Sequence, residues 1–185
     1  REDVTAAISN LLVLAGAGSG KTRVLVHRIA WLIEAEQISP YSILAVTFTN
    51  KAAKEMRGRI ESLLNVNVHG MWVGTFHGLA HRLLRSHWQE AGLRENFQIM
   101  DSDDQLRLVK RIAKEMGLDD SRWPPKQIQW YINAQKDEGL RSKHLERTGD
   151  LVQDTLIRVY EAYEQACDRG GMIDFGELLL RCLEL

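Results

Sequence analysis

Apolar and polar positions along the first half of the chain alternate between two periods. The continuous apolar run Leu11 to Leu14 predicts a buried strand over 10–15, and Val24, Leu25, Ile29, Leu32 and Ile33 recur at the spacing of one helix face over 20–36. A Ser39-Pro40 turn follows, then a strand over 42–48, a helix over 50–64, a strand over 71–75 and a helix over 76–91. This strand–helix rhythm predicts an α/β fold with a parallel sheet joined by helical crossovers.

Beyond residue 100 the rhythm gives way to helices. One is expected over 102–116, with Leu106, Val109, Ile112, Ala113 and Met116 on one face, Ser102 and Gln105 at capping-box positions, and Gly117 as its stop. Pro124 and Pro125 suit the first turn of a second helix, which runs through Ile128, Tyr131 and Ile132 to Asp137. A third spans Asp150 to Asp168 and stops at Gly170-Gly171. Asp174 and Glu177 predict another capping box, opening a last helix that carries Leu178, Leu179 and Cys182. Turn residues between these helices are too few for a free linker, so a helical module interrupts or follows the α/β core and packs closely with it.

A chain of 185 residues with 44% hydrophobic content can bury a core as one domain or two small ones. The formal net charge of −1 rules out a global basic field, so any nucleic-acid contact must come from local patches. Cys167 and Cys182 both fall in expected helices with no second ligand-type residue at metal spacing, which reads as free thiols in a reducing compartment. No secretory signal and no membrane-length apolar span is visible, which points to the cytoplasm.

Residues 15 to 22, Ala-Gly-Ala-Gly-Ser-Gly-Lys-Thr, change the picture most. Placed between an expected strand and an expected helix, they form a P-loop, with Ala15 where glycine is usual. The stretch Ala17, Gly18, Ser19 and Gly20 brings backbone N–H groups toward phosphate oxygens at a helix N-terminus. Lys21 supplies a charge for the β- and γ-phosphates, and the Thr22 hydroxyl is suited to ligate Mg²⁺. A nucleotide phosphate with Mg²⁺ is therefore expected there.

Other chemistries fit less well. Asn50-Lys51-Ala52-Ala53 begins like a guanine-reading loop but has Ala53 where the base-reading carboxylate belongs. His77 and His81 are four apart, yet Gly78 stands where a zinc hydrolase needs glutamate. The Mg²⁺-holding carboxylate of P-loop ATPases should end an apolar strand; Asp101 and Asp174 both follow short apolar runs and read as helix caps instead. Phe48 suits a core position or an exposed platform, whereas Phe76, leading into a helix, reads as core. At most one of the adjacent Trp130 and Tyr131 reaches a core. Arg107, Lys110, Arg111 and Lys114 are offset by Asp103, Asp104 and Glu115 and read as a solvated face.

The P-loop, then Ala45-Val46-Thr47-Phe48-Thr49-Asn50-Lys51-Ala52-Ala53, then Gly74-Thr75-Phe76-His77, resemble in order the successive motifs of superfamily 1 DNA helicases of the UvrD/Rep/PcrA group. Met71 to Arg82 and Trp130 to Gly139 look most like the UvrD branch of that group, and the resemblance covers essentially the whole chain. It implies a partial RecA-like ATP-binding domain 1A over 1–88 and 174–185, with an inserted helical domain 1B over 89–173. It also implies ATP as that nucleotide, and ATP-driven 3′ to 5′ translocation on single-stranded DNA with strand separation, in mismatch and nucleotide-excision repair. The partners it implies are single-stranded DNA, the single-strand/duplex junction, DNA repair proteins and the helicase domains 2A and 2B, with no membrane, in the nucleoid-containing bacterial cytoplasm.

By the same resemblance, Arg23 stacks on the adenine, Phe48 is an aromatic of the DNA groove, and Thr49, Asn50, Thr75 and His77 lie near the DNA backbone or bases. Phe175 is a weaker candidate for that groove. The family's adenine-reading glutamine would stand just before Arg1, and the Asp-Glu pair, the arginine fingers and the 2B domain have no counterpart. An N-terminal fragment, itself inactive, is therefore expected; a freestanding P-loop nucleotide-binding module and a small-molecule kinase are the alternatives.

Overall fold

A computed structural model of the chain describes residues 2–14, 16, 18 and 20–185. These form a mixed helix/strand structure with small parallel sheets, divided into two compact units over residues 1–79 and 80–185.

The first unit contains α1 (Glu2–Thr5), α2 (Lys21–Glu34), a 3₁₀ turn at Pro40–Ser42, β1 (Leu44–Thr47), α3 (Asn50–Leu64), β2 (Trp72–Thr75) and the start of α4 (Phe76–Ser86). The strands β1 and β2 pair in parallel, from Leu44 opposite Trp72 to Thr47 opposite Thr75, with α3 as their crossover. Val26 and Ile29 of α2 meet Ala45, Met56, Ile60 and Val73 in one buried cluster. The Arg57 guanidinium donates to the Val73 carbonyl at 2.7 Å and ties α3 to β2. Thr49 caps α3, its Oγ1 accepting from Ala52 N at 3.1 Å.

The strand expected over 10–15 does not form: residues 10–14 have no strand pairing, and Ala15 lies outside the described residues. Leu12 and Leu14 are 80% and 85% exposed. A strand needs a neighbour for its backbone groups, and an apolar run does not reveal whether a partner is at hand. The inner face of α2 is also rotated from the expected one. Val26, Ile29 and Ala30 are buried, while Leu25 is exposed.

The second unit holds the rest of α4, then β3 (Gln98–Ile99), α5 (Ser102–Glu115), α6 (Pro125–Asp137), a 3₁₀ turn at Ser142–His144, α7 (Leu151–Gly170), β4 (Met172–Ile173) and α8 (Phe175–Glu184). The two short strands that lead to Asp101 and Asp174 form a parallel pair, with Gln98 opposite Met172 and Ile99 opposite Ile173. One core is built from α5, α6 and α7 around Val109, Ile112, Ile128, Ile132, Tyr160 and Tyr163. A second cluster joins Leu84 of α4 and Phe97 to Ile173 and Leu178 of α8.

Helix boundaries here follow the caps. α4 ends at Ser86 instead of 91, continuing as hydrogen-bonded turns that stop at Gly92 with φ 65°. The capping box of α5 is made by Asp101 and Asp104, not by Ser102 and Gln105; the Met100 N–H bonded to Ile173 O at 2.8 Å keeps the residue before Asp101 extended. Asp174 caps α8 by accepting from Glu177 N at 2.7 Å, but the Glu177 carboxylate turns toward cations instead of completing a box. On α8 the buried leucines are Leu178 and Leu180, with Leu179 exposed. Gly171, with φ 61°, ends α7 in the left-handed conformation that glycine adopts readily. Trp130 is exposed and Tyr131 half-buried against the α5–α7 core, and the basic residues of α5 lie on its exposed face, where Arg107 pairs with Asp104 and Arg111 with Glu115. Cys167 and Cys182 are free thiols. Among the described residues no helix is long and apolar enough to cross a membrane.

Candidate functional site

The chain enters α2 through glycines. Gly18 and Gly20 have φ of 75° and 84°, in the left-handed region that disfavours any residue with a Cβ. A Cβ at either position would meet nothing within 4 Å, so backbone conformation, not crowding, is what demands glycine there. Gly20 is the N-cap of α2 and makes no side-chain cap hydrogen bond, so the positive end of the helix dipole faces the loop. Lys21 Nζ donates to Gly16 O at 2.7 Å, which folds the ammonium over the loop's own backbone, and Thr22 and Arg23 are exposed on the same turn. Ala17 and Ser19 lie outside the described residues. A helix N-terminus, one lysine and one hydroxyl make a set that fits a phosphate with its Mg²⁺.

Beside this turn lies a cleft of about 900 Å³, lined by Val4 and Thr5 of α1, Gly18 and Gly20 of the loop, and Arg23, Val24 and His27 of α2. Its walls are apolar side chains with two planar cationic or aromatic groups, a setting for a flat polar ring.

A second group stands at the carboxyl ends of β1 and β2. Because Thr47 is opposite Thr75, the residues that leave the two strands side by side are Phe48 and Phe76. Phe48 is 95% exposed, which excludes the core position that its place at a strand end left open. Phe76, read from sequence as core, is 58% exposed: the chain turns into α4 at once, and Leu79 becomes the buried residue instead. Two exposed phenyl rings thus stand at adjacent strand ends, at the edge where open α/β sheets commonly bind their ligands.

Thr49, Asn50, Thr75 and His77 flank these rings. Two of them have local duties: Thr49 Oγ1 caps α3, and Thr75 Oγ1 accepts from Gly78 N at 3.0 Å at the start of α4. Accepting a backbone N–H leaves each hydroxyl its own hydrogen to donate. Asn50 and His77 are exposed. His81 is a poor metal partner for His77, since its Nε2 accepts from Arg85 Nε at 2.9 Å, and burial, with Arg85 adding to it, lowers its pKa. Phe175, the first residue of α8 in the second unit, is partly exposed.

The feature that sequence reasoning misses is a buried charge network in the second unit. Lys136 and Asp174, with side chains 4% and 3% exposed, pair at 2.8 Å, and Lys136 also reaches Glu177 at 3.2 Å. Glu177 binds Arg141 at 3.0 Å and Arg181 at 2.7 Å. Tyr163 donates to Asp174 at 2.5 Å, and Gln105, expected at a helix cap, is buried and donates to the same carboxylate at 3.3 Å. Burial alone would raise the Glu177 pKa, but Lys136, Arg181 and Arg141 hold it at about 2. Burial pulls Lys136 down, and Asp174 and Glu177 more than reverse this. Burial pushes the Cys167 thiol up to about 12, so it is not a nucleophile. The sequence does hold one signal: Lys136 continues the Ile128, Ile132 stripe at helical spacing, which marks it as inward-facing.

Comparison with known proteins agrees with these motifs. The UvrD/REP helicase N-terminal domain family matches residues 1–185. The chain is 65% identical to DNA helicase II of Escherichia coli and 57% identical to that of Haemophilus influenzae, in each case over the whole chain and 26% of the relative. It is 38% identical to the ATP-dependent DNA helicase PcrA of Bacillus subtilis, over the whole chain and 25% of that protein. The chain thus spans about a quarter of the length of these relatives. With motifs in order, a glycine-rich helix entry and full-length coverage by the family, the chain belongs to the UvrD/REP helicase N-terminal domain family.

Proposed function

We propose that this chain is the N-terminal ATP- and single-stranded-DNA-binding part of an ATP-dependent 3′ to 5′ DNA helicase acting in mismatch and nucleotide-excision repair. The observation that carries the reading is the glycine-gated entry to α2, with Gly18 and Gly20 at positive φ and Lys21 and Thr22 in its first turn. In this reading the loop from Ala17 to Gly20 and Lys21 hold the triphosphate, Thr22 holds Mg²⁺, and Arg23 covers the base in the cleft beside α1. The bound nucleotide supplies the free energy of γ-phosphate hydrolysis. Phe48 gives bases a stacking surface that tolerates any sequence, as translocation requires. Thr49, Asn50, Thr75 and His77 donate to the DNA backbone or bases, and Phe175 adds a further aromatic contact.

The proposed domains are a RecA-like domain 1A over 1–88 and 174–185 and a helical domain 1B over 89–173. The clustering of Leu84 with Ile173 and Leu178, apart from the α5–α7 core, supports drawing the ends of α4 and α8 together. Domains 2A and 2B, the DNA junction and repair proteins are the proposed partners, in the bacterial cytoplasm. Neither Asp101 nor Asp174 is suited to the catalytic Mg²⁺, since one caps α5 and the other is buried against Lys136. Hydrolysis therefore needs groups supplied from elsewhere, among them an arginine finger worth roughly 10³ to 10⁵ in rate.

The test compares DNA-stimulated ATPase and unwinding of tailed duplexes by the full-length protein, its Lys21→Ala variant and the 185-residue chain. Activity on 3′-tailed duplex in the first alone is expected. Wild-type unwinding by Lys21→Ala would show the phosphate role to be wrong, and robust turnover by the isolated chain would show that it needs no other domain.

A further inference from the structure

One side chain in the first unit makes bonds that none of the motifs explains. The Arg28 guanidinium, on α2, donates through Nη1 to the carbonyls of Asp3 at 3.3 Å, Val4 at 3.2 Å and Ala6 at 3.0 Å, and through Nη2 to that of Ala7 at 3.3 Å. These carbonyls belong to α1 and the residues just after it. A cation at the carbonyl end of a helix satisfies acceptors that have no partner within the helix and meets the negative end of the dipole.

What makes the clamp matter is the shortness and exposure of α1. It is four residues long and none of them is buried. A helix of that length does not hold in water by its own hydrogen bonds, since a single turn fixes several dihedrals for one bond. Yet α1 supplies Val4 and Thr5 to the cleft that opens beside Gly18, Gly20 and Arg23. The Arg28 side chain does not line that cleft; it grips the backbone of the segment that does. Its guanidinium also lies 5.9 Å from the centre of the Trp31 ring, one turn further along α2, which limits its freedom.

We infer that Arg28 is a positioning residue for nucleotide binding: by holding the Asp3–Ala7 backbone against α2, it fixes the Val4–Thr5 wall of the cleft at the distance a nucleotide base requires. This rests on the reading of the P-loop cleft as the ATP site. It predicts an effect on the Michaelis constant for ATP instead of on the chemical step, because the wall meets the base equally in the ground and transition states. A lysine cannot replace the fork of donors and restores only part of the effect.

The experiment measures kcat and KM for ATP in the DNA-stimulated ATPase of the full-length protein, together with the melting temperature, for wild type, Arg28→Ala, Arg28→Lys and Lys21→Ala. Arg28→Ala is expected to raise KM about tenfold, the fold-change of one lost hydrogen bond to a charged group, with kcat near wild type and Arg28→Lys in between. A KM unchanged in Arg28→Ala, while Lys21→Ala loses activity, overturns the role of Arg28 and leaves the ATP site intact. A lowered melting temperature with an unchanged KM in the folded fraction overturns it too, reducing Arg28 to a structural residue. Normal turnover by Lys21→Ala overturns both readings.

Discussion

The two units use their polar and apolar side chains in opposite ways. In the second, charged groups are turned on one another: the buried Lys136, Asp174 and Glu177 form a network with the partly buried Arg141 and Arg181, and helices α5, α7 and α8 each begin on an aspartate cap. In the first, α2 begins on a glycine without a side-chain cap, Lys21 is exposed, and Leu12, Leu14, Phe48 and Phe76 lie at the surface. Groups that satisfy one another are taken up within the fold, whereas a glycine-capped helix N-terminus and exposed rings offer a surface for the proposed ligands.

The sharpest way to break this contrast is to attack the network. Lys136→Met removes the cation from two buried carboxylates and should cost about 3 to 5 kcal/mol of stability, because an unpaired buried charge is left behind. Chemical denaturation of the 185-residue chain, followed by helical circular dichroism, measures it. A loss below about 1 kcal/mol, the scale of a surface ion pair, would mean that the network is not what holds the second unit.

A somewhat smaller effect sharpens the same point through pH. The Glu177 carboxyl, ordinarily near 4.5, is held at about 2 in the folded chain. A depressed folded value means that the stabilisation is complete above about pH 4.5 and is lost as pH falls toward 2. The shift corresponds to about 3 kcal/mol at most. Denaturation midpoints of wild type and Glu177→Gln from pH 6 down to pH 2.5 should converge, because the wild type loses more stability than the variant over that range. Parallel curves would contradict the assignment.

The contrast also explains how much of the molecule is legible in the amino-acid sequence. Helices α2, α3, α5, α6 and α7 are legible because capping residues, prolines and glycines punctuate a strong 3.6 period, and α3 lies over 50–64, as its pattern predicts. The glycine-gated entry to α2 is legible because its glycines stand next to the first helical residues in the sequence. The strand expected over 10–15 is absent because pairing depends on a neighbour far away in sequence. Gln105 reads as part of a cap, and is not, because its hydrogen-bond partners, Asn133, Tyr163 and Asp174, come from three later elements. Arg28 carries no signal, since its acceptors are backbone carbonyls that any sequence supplies. The exposure of Phe48 and Phe76 turns on where the chain bends after each strand, which hydrophobicity does not encode.

Phe48 tests the central claim most directly, because its ring is 95% exposed and a fold has almost nothing to lose with it. Phe48→Ala in the full-length protein should weaken single-stranded DNA binding by about 1 to 3 kcal/mol, the value of one stacking platform, while the melting temperature stays within error of wild type. Affinity is read by fluorescence anisotropy at fixed salt, and melting by scanning calorimetry on the same preparation. A melting temperature lowered as for a core truncation of about 3 to 5 kcal/mol, with DNA affinity preserved in the folded fraction, would show that packing has been mistaken for a binding surface.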